Sequence, residues 1–390
     1  MDLVVFSHLR WDFVYQRPQH LLSRFARDRH VFFVEEPIVG DGALELFTPA
    51  PGVTVIRPRI PAGLSRGESE SMQAELIRAE WHKRGLVQPV AWFYTPMALP
   101  FLETLTPSAV IYDCMDELSA FAGADPLLPR REAELLGRAD LVFTGGRSLF
   151  EAKRRLHENV YCFPSSVDEA HYWKARQRPP QPDQESPARP RLGFFGVIDE
   201  RFDVGLLAGM AEACADWSFV MIGPIVKIDS ATLPKLPNIH YLGLKPYAEL
   251  PDHIATWDVA LIPFARNAST RFISPTKVLE YMAAGKPIVS TSIPDVVRPY
   301  GEQGLVRIAD RATEAVAAAR EAMNEDACER HERFNLVLAQ TSWERTYAEM
   351  RALVLRHVDR APVDQPPSIG PNRTAERSGA LGSVSPAAAD

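Results

Sequence analysis

Short apolar runs alternate with helix-period segments along this chain. Residues 3–6, 31–34, 91–94, 110–112 and 141–144 are apolar and strand-like, and amphipathic stretches occupy 19–27 and 74–83. Fully apolar runs of this length, spaced by helical patterns, predict βαβ units whose parallel strands are covered on both faces. The pattern breaks at residues 174–190, KARQRPPQPDQESPARP, where five prolines and almost no apolar side chain predict an exposed linker. It then restarts, with strands expected at 192–195, 219–222, 239–242, 259–262 and 288–290 and helices at 204–215 and 275–284. Helical patterns fill 313–355. Residues 362–390 show no periodicity that could bury a core and are expected to be disordered. The predicted fold class is α/β, with one parallel-sheet domain over 1–173 and a second over 191–340.

Composition narrows the function. A length of 390 residues accommodates two cores at roughly 100–200 residues each. At 46% hydrophobic and 24% charged the chain is an ordinary globular one, and a net charge of -7 gives no broad field for a polyanion, so nucleic acid is not expected as a partner. Cys114, Cys162, Cys214 and Cys328 form no CxxC pair, which argues against a zinc site or a secreted disulfide framework and for a reducing cytoplasm. No apolar stretch approaches about 18 residues, and neither a secretory signal nor a membrane span is expected. Lys153, Arg154 and Arg155, followed by Leu156, form either a solvated helix face or a weak peripheral contact with the inner face of an anionic membrane.

The chemistry concentrates in FISPTKVLEYMAAGKPIVST, residues 272–291. Ser274 is an expected N-cap, Pro275 suits the first helical position, and Gly285 ends the helix. The first turn offers the positive end of the helix dipole, to which Lys277 adds a full charge, so a diphosphate would be stabilised there. Glu280 follows three residues on along the same side, where a carboxylate can accept hydrogen bonds from ribose hydroxyls. The alternative is a capped helix with an exposed Lys/Glu pair worth only about 0.2–0.5 kcal/mol. Gly196 and Asp199, and Gly223, stand in loops at carboxyl ends of strands, where open α/β sheets bind ligands or where glycine simply turns the chain. Residues 243–247 are placed near a nucleotide base. In the first half, His8, Arg10, Trp11, Asp12, Arg17, Gln19 and His20 crowd one strand-to-helix loop, more polar chemistry than a minimal turn needs. Asp113 and Asp116 end another strand, where carboxylates act as a general base or begin a helix.

Together, SPTKVLEYMAAGKPIVST, RADLVFTGGRSLFEAKRRL, VYCFPSSVDEAHYW and PNIHYLGLKPYAELPDHIATWDVALIPF resemble GT-B glycosyltransferases, especially bacterial enzymes of teichuronic acid and exopolysaccharide assembly, over residues 1–357. The resemblance implies two Rossmann-like domains sandwiching a nucleotide-sugar donor, with a last helix, 341–357, crossing back to the first domain. It implies transfer of a sugar from a nucleoside diphosphate sugar to a saccharide or lipid-linked saccharide acceptor in cell-surface polysaccharide synthesis. Glu280 matches the ribose-binding glutamate and Lys277 a basic residue of the donor-phosphate region. The expected donor set is Gly196, Asp199, Arg201, Gly223, Arg271, Ser274, Lys277 and Glu280. Arg10, Trp11, Arg17 and Gln19 are assigned to the acceptor, with Trp11 and Tyr15 able to stack on sugar rings, and His8 and Asp116 are the catalytic candidates. No cofactor and no obligatory metal are expected, because cations and helix N-termini can neutralise a leaving diphosphate. The chain departs from the family at Phe272, where many retaining members carry a second glutamate. It departs again at Val197 and at Phe202 or Asp203, where they carry an Arg and a Lys, with Arg201 or Arg271 as substitutes. Retention is favoured slightly over inversion, in which Asp116 would be the base. The alternatives are a non-catalytic nucleotide-sugar-binding assembly subunit and a nucleotide-sugar epimerase of the same fold.

Overall fold

Strands such as Leu3–Ser7 and Val259–Ile262 are buried at every position, which fits their unbroken apolar sequence and places them inside sheets covered on both sides. The structure, a computed structural model, describes residues 1–177 and 187–359. The expected tail at 362–390 and residues 178–186 of the expected linker lie outside the described residues.

In chain order the first half contains β1 (Leu3–Ser7), α1 (Arg17–Phe25), β2 (Val31–Glu35), β3 (Ile38–Val39), β4 (Ala43–Ala50), β5 (Val53–Ile60), α2 (Arg66–Arg84), β6 (Val90–Phe93), β7 (Ala109–Cys114), α3 (Leu128–Leu136), β8 (Leu141–Thr144), α4 (Arg147–Lys153), β9 (Val160–Cys162) and α5 (Glu169–Gln177). The strands form one nine-stranded sheet, ordered β3-β5-β2-β1-β6-β7-β8-β9, with β4 added antiparallel to β5. The second half contains β10 (Arg191–Phe195), α6 (Val204–Ala213), β11 (Ser218–Ile222), β12 (Ile239–Tyr241), α7 (Leu250–Ala255), β13 (Val259–Ile262), α8 (Lys277–Ala283), β14 (Ile288–Ser290), α9 (Pro294–Val296), β15 (Arg307–Ile308), α10 (Ala312–Met323), α11 (Ala327–Leu338) and α12 (Trp343–Val358). Its six strands pair in parallel in the order β12-β11-β10-β13-β14-β15.

Helix α5 runs through residues 174–177, the first four of the expected linker, and belongs to the second core: Val167, Tyr172 and Ala175 pack with Leu192, Phe195 and Ile254. The chain therefore changes domain before the proline-rich stretch. It changes back at α12, where Trp343, Tyr347, Met350 and Val354 complete the first core beside Leu22, Phe25 and Trp92. Ser342 caps α12 by accepting from Arg345 N at 3.1 Å. Arg24 and Arg27 reach Glu344 at 3.2 and 2.7 Å, exposed pairs of small worth, so the apolar face is what holds this helix.

Away from these crossings the halves meet again. Asp295 at α9 accepts from Ser148 N at 3.1 Å in the first turn of α4, and Arg298 pairs with Glu151 at 3.1 Å. A Cβ added to Gly146 would stand 2.3 Å from Asp295 Oδ2 and 2.8 Å from Ser274 Cβ, so this close approach requires glycine. Phe272 packs against the first-half core that contains Leu149. Among the described residues no helix is long and apolar enough to cross a membrane.

Candidate functional site

The carboxyl ends of the two sheets enclose a cavity of about 660 Å³ with walls from both halves. Such a cleft between α/β sheets is where this architecture collects ligands. On the second-half side stand Phe195, Gly196, Arg201, Gly223, residues 244–247, and Ser274 through Lys277 followed by Glu280. On the first-half side stand residues 11–17, His20, Met115, Asp116, Gly145 and Ser165.

Helix α8 begins at Lys277, two residues after the expected start, and Thr276 rather than Ser274 occupies the N-cap, without a side-chain cap bond. Ser274 is thus not the cap; it lines the cavity where Gly146 approaches. Lys277 projects across the end of β10. Its Nζ stands 5.5 Å from the ring centroid of Phe194 and 5.8 Å from those of Phe195 and Phe264. The φ of +138° at Gly196 favours glycine, and an added Cβ would stand 2.4 Å from Lys277 Cε and push the lysine aside. Gly223, with φ of +140°, lies so near that an added Cβ would overlap the Gly196 carbonyl. The ammonium has no ion-pair partner among the described residues. Burial pulls its pKa down, with the Glu280 charge opposing that. A cation held over aromatic faces, short of a counter-ion and facing a cavity is a receptor for an anion.

Glu280 is 8% exposed and faces the same cavity. Its Oε1 accepts from the Tyr172 hydroxyl at 3.1 Å. Burial pushes its pKa up to about 7, against the pull of Lys277 and of the Tyr172 hydrogen bond. Tyr172, on α5, was not foreseen from the sequence. Its legible traits are its place in the segment VYCFPSSVDEAHYW and an apolar spacing with Ala175 on the same helix.

Other expected donor residues separate. Arg201 lines the cavity, but its guanidinium is held by Asp199 at 2.7–3.1 Å, and Asp199 itself is buried behind the wall. Arg271 is exposed, stacks 5.2 Å from the Phe272 ring and does not line the cavity. Phe272, partly buried, packs against the first-half core, so the position of the missing glutamate is occupied by an interdomain apolar contact.

The first-half expectations are corrected more often. Arg17 is 3% exposed; its Nη2 and Nε donate to Asp113 at 2.9 and 3.2 Å and its Nη1 to the Phe163 carbonyl at 2.8 Å, which spends the guanidinium inside the protein. Gln19 is fully buried and ties the loop down, donating to the Trp11 carbonyl at 2.8 Å and accepting from Gln16 N at 3.0 Å. Arg10 turns away to Glu35 at 3.0 Å. His8 does not line the cavity, and burial pushes its pKa down to about 4. Trp11 and Asp116 do line it. Asp116 has its pKa raised by burial, which Arg201 across the cleft counters. Lys153 is buried and bound to Glu117 and Glu132 at 2.7 Å, so it is lost to the basic stretch considered for membrane contact.

Residues 189–326, which carry Gly196, Gly223, Lys277 and Glu280, match the family model of Glycosyl transferases group 1. The chain is 28% identical over 287 residues, 68% of each chain, to the Bacillus subtilis (strain 168) protein named as a teichuronic acid biosynthesis glycosyltransferase, TuaH. A sucrose-phosphate synthase from Thermosynechococcus elongatus superposes with a TM-score of 0.69 at 13% identity, covering 91% of this chain and 98% of that one. A UDP-forming alpha,alpha-trehalose-phosphate synthase from Burkholderia xenovorans, in complex with glucose-6-phosphate, superposes with a TM-score of 0.65 at 11% identity over 92% and 99%. The two-domain arrangement is the GT-B fold.

Proposed function

We propose that this GT-B chain, whose second half matches the Glycosyl transferases group 1 family, is a glycosyltransferase that moves a sugar from a nucleoside diphosphate sugar to a saccharide or lipid-linked saccharide acceptor in cell-surface polysaccharide synthesis. The observation that carries the reading is Lys277 and Glu280, three residues apart, facing one interdomain cavity, with the ammonium without an ion pair among the described residues and the carboxylate buried. The ammonium meets the diphosphate beside Gly196, and Glu280 accepts from the ribose hydroxyls. During transfer the bond from the anomeric carbon to the phosphate oxygen breaks, its electron pair passing to the diphosphate, where Lys277 stabilises the growing charge. The acceptor oxygen forms the new bond to that carbon. Under retention, the outcome we favour, its proton passes to the departing phosphate oxygen, and Asp116 accepts a hydrogen bond from a sugar hydroxyl. No obligatory metal enters this scheme, and the weak membrane contact rests on Arg154 and Arg155 without Lys153.

The test is chromatography of nucleoside diphosphate sugars incubated with the protein, with and without polysaccharide or lipid-linked acceptors. Release of nucleoside diphosphate that depends on acceptor supports transfer. Isomerisation of the donor alone would make the chain an epimerase, and tight binding without turnover a binding subunit.

Glu280→Gln sharpens the donor assignment. The amide keeps the shape but loses the charge and half of the paired acceptors, so donor affinity is expected to fall at least about tenfold. A 2′,3′-dideoxy donor should be discriminated against by the parent and hardly by the variant; equal discrimination would remove Glu280 from the ribose. Stability should move the other way. With the folded pKa raised from 4.5 to about 7, this group's contribution is full below pH 4.5 and is lost as pH rises through 7. Above pH 7 the empty variant is therefore expected to melt higher than the parent in a thermal scan, and at pH 4 the two should converge.

A further inference from the structure

Glu280 does not stand alone in the wall of the cavity. The Tyr172 ring, 1% exposed, is fixed on three sides: stacked on Phe195 with centroids 6.0 Å apart, and edge-on to Tyr247 at 5.9 Å and to His171 at 4.9 Å. A ring held this way leaves its hydroxyl little freedom, and the single O–H donates to Glu280 Oε1 at 3.1 Å. A carboxylate on a three-bond side chain otherwise samples several rotamers and turns about its last bond. With one oxygen engaged, Oε2 has no protein partner among the described residues and is left for a ligand.

We propose that Tyr172 is a positioning residue, which orients Glu280 so that its free carboxylate oxygen accepts from the neighbouring hydroxyls of the donor's ribose. The inference rests on the nucleotide-sugar reading and adds the group that aims its ribose-reading carboxylate, supplied by the helix that connects the domains rather than by the nucleotide-binding turn. Packing alone would give the buried hydroxyl some partner, but would not require that partner to be a carboxylate facing the cavity.

The experiment compares the parent, Tyr172→Phe, Glu280→Gln and the double variant in two readouts. The first is the carbon-13 NMR titration of the Glu280 carboxyl in the empty protein, assigned by its loss in Glu280→Gln. The second is calorimetric affinity for UDP, GDP and ADP, using for the comparison whichever binds the parent. Removing the hydroxyl takes away a bond that favours the charged carboxylate, so in Tyr172→Phe the carboxyl is expected to titrate at higher pH than in the parent. Nucleotide affinity at pH 7 is expected to fall about two- to tenfold, the worth of one hydrogen bond, and the same change made on Glu280→Gln should cost much less, because the partner to be oriented is gone. An unchanged titration, or losses that simply add in the double variant, overturns the positioning role while leaving the donor site intact. If the parent binds none of the three nucleotides, the nucleotide-sugar reading itself falls and takes this inference with it. Phenylalanine keeps the three ring contacts, and the melting temperature of each variant separates loss of orientation from loss of fold.

Discussion

Arg17→Ala is expected to destabilise the protein by about 3–5 kcal/mol, measured by urea unfolding, before any effect on acceptor use can be read. The guanidinium is buried and bound to both oxygens of Asp113, which is 0% exposed, and to the Phe163 carbonyl. Truncating it leaves the buried Asp113 carboxylate without its arginine partner. The companion double variant, Arg17→Met with Asp113→Leu, removes both charges and is expected to recover most of the loss, since replacing a buried pair by apolar groups is often neutral. If Arg17→Ala melted like the parent and raised only the acceptor KM, the arginine would be a substrate ligand after all and the ion pair incidental.

Lys277→Met is expected to weaken nucleoside diphosphate binding about ten- to hundredfold, because one charge-assisted contact is worth about 1.5–3 kcal/mol. The empty protein should at the same time become more stable. The ammonium is desolvated among Phe194, Phe195 and Phe264 with its pKa pulled down, and a thioether fits those rings without the cost of a buried charge. Affinity falling while the melting temperature rises is the signature of a group kept for a ligand. Calorimetry and a thermal scan on the same preparation read both. Unchanged affinity would place the diphosphate elsewhere in the cleft.

What the sequence disclosed follows from the range of the interactions involved. Strands buried on both faces leave continuous apolar runs, so β8, β13 and β14 stand where the pattern put them. The β4–β5 pair was missed because β4 is an exposed edge with charged and proline residues, whose pattern has no buried face to mark it. Lys277 and Glu280 were legible because one helical turn sets their relation, whatever the rest of the chain does. Tyr172 and Glu280 meet across 108 residues, and Arg17 and Asp113 across 96; no local spacing announces such a partner. That is why the relation of Lys277 to Glu280 could be read from local spacing, and the partners of Arg17 and Glu280 could not. Arg17 and Gln19 have the chemistry of ligands but are consumed in holding a loop and a strand end together.

The return of α12 to the first domain also dictates an order of assembly during synthesis. Trp343, Tyr347, Met350 and Val354 lie in the same core as Leu22, Phe25 and Trp92, so the first sheet emerges from the ribosome with part of one face uncovered. The last of its own strands, β9, ends at Cys162, and the covering helix begins about 180 residues later. At roughly 5–20 residues per second that interval is about 10–40 s, the time in which the second domain, from α5 to α11, is itself synthesised. The early-made half waits for the late-made one to be finished, and a nascent chain halted anywhere between β9 and α12 carries an open apolar face for a chaperone to find.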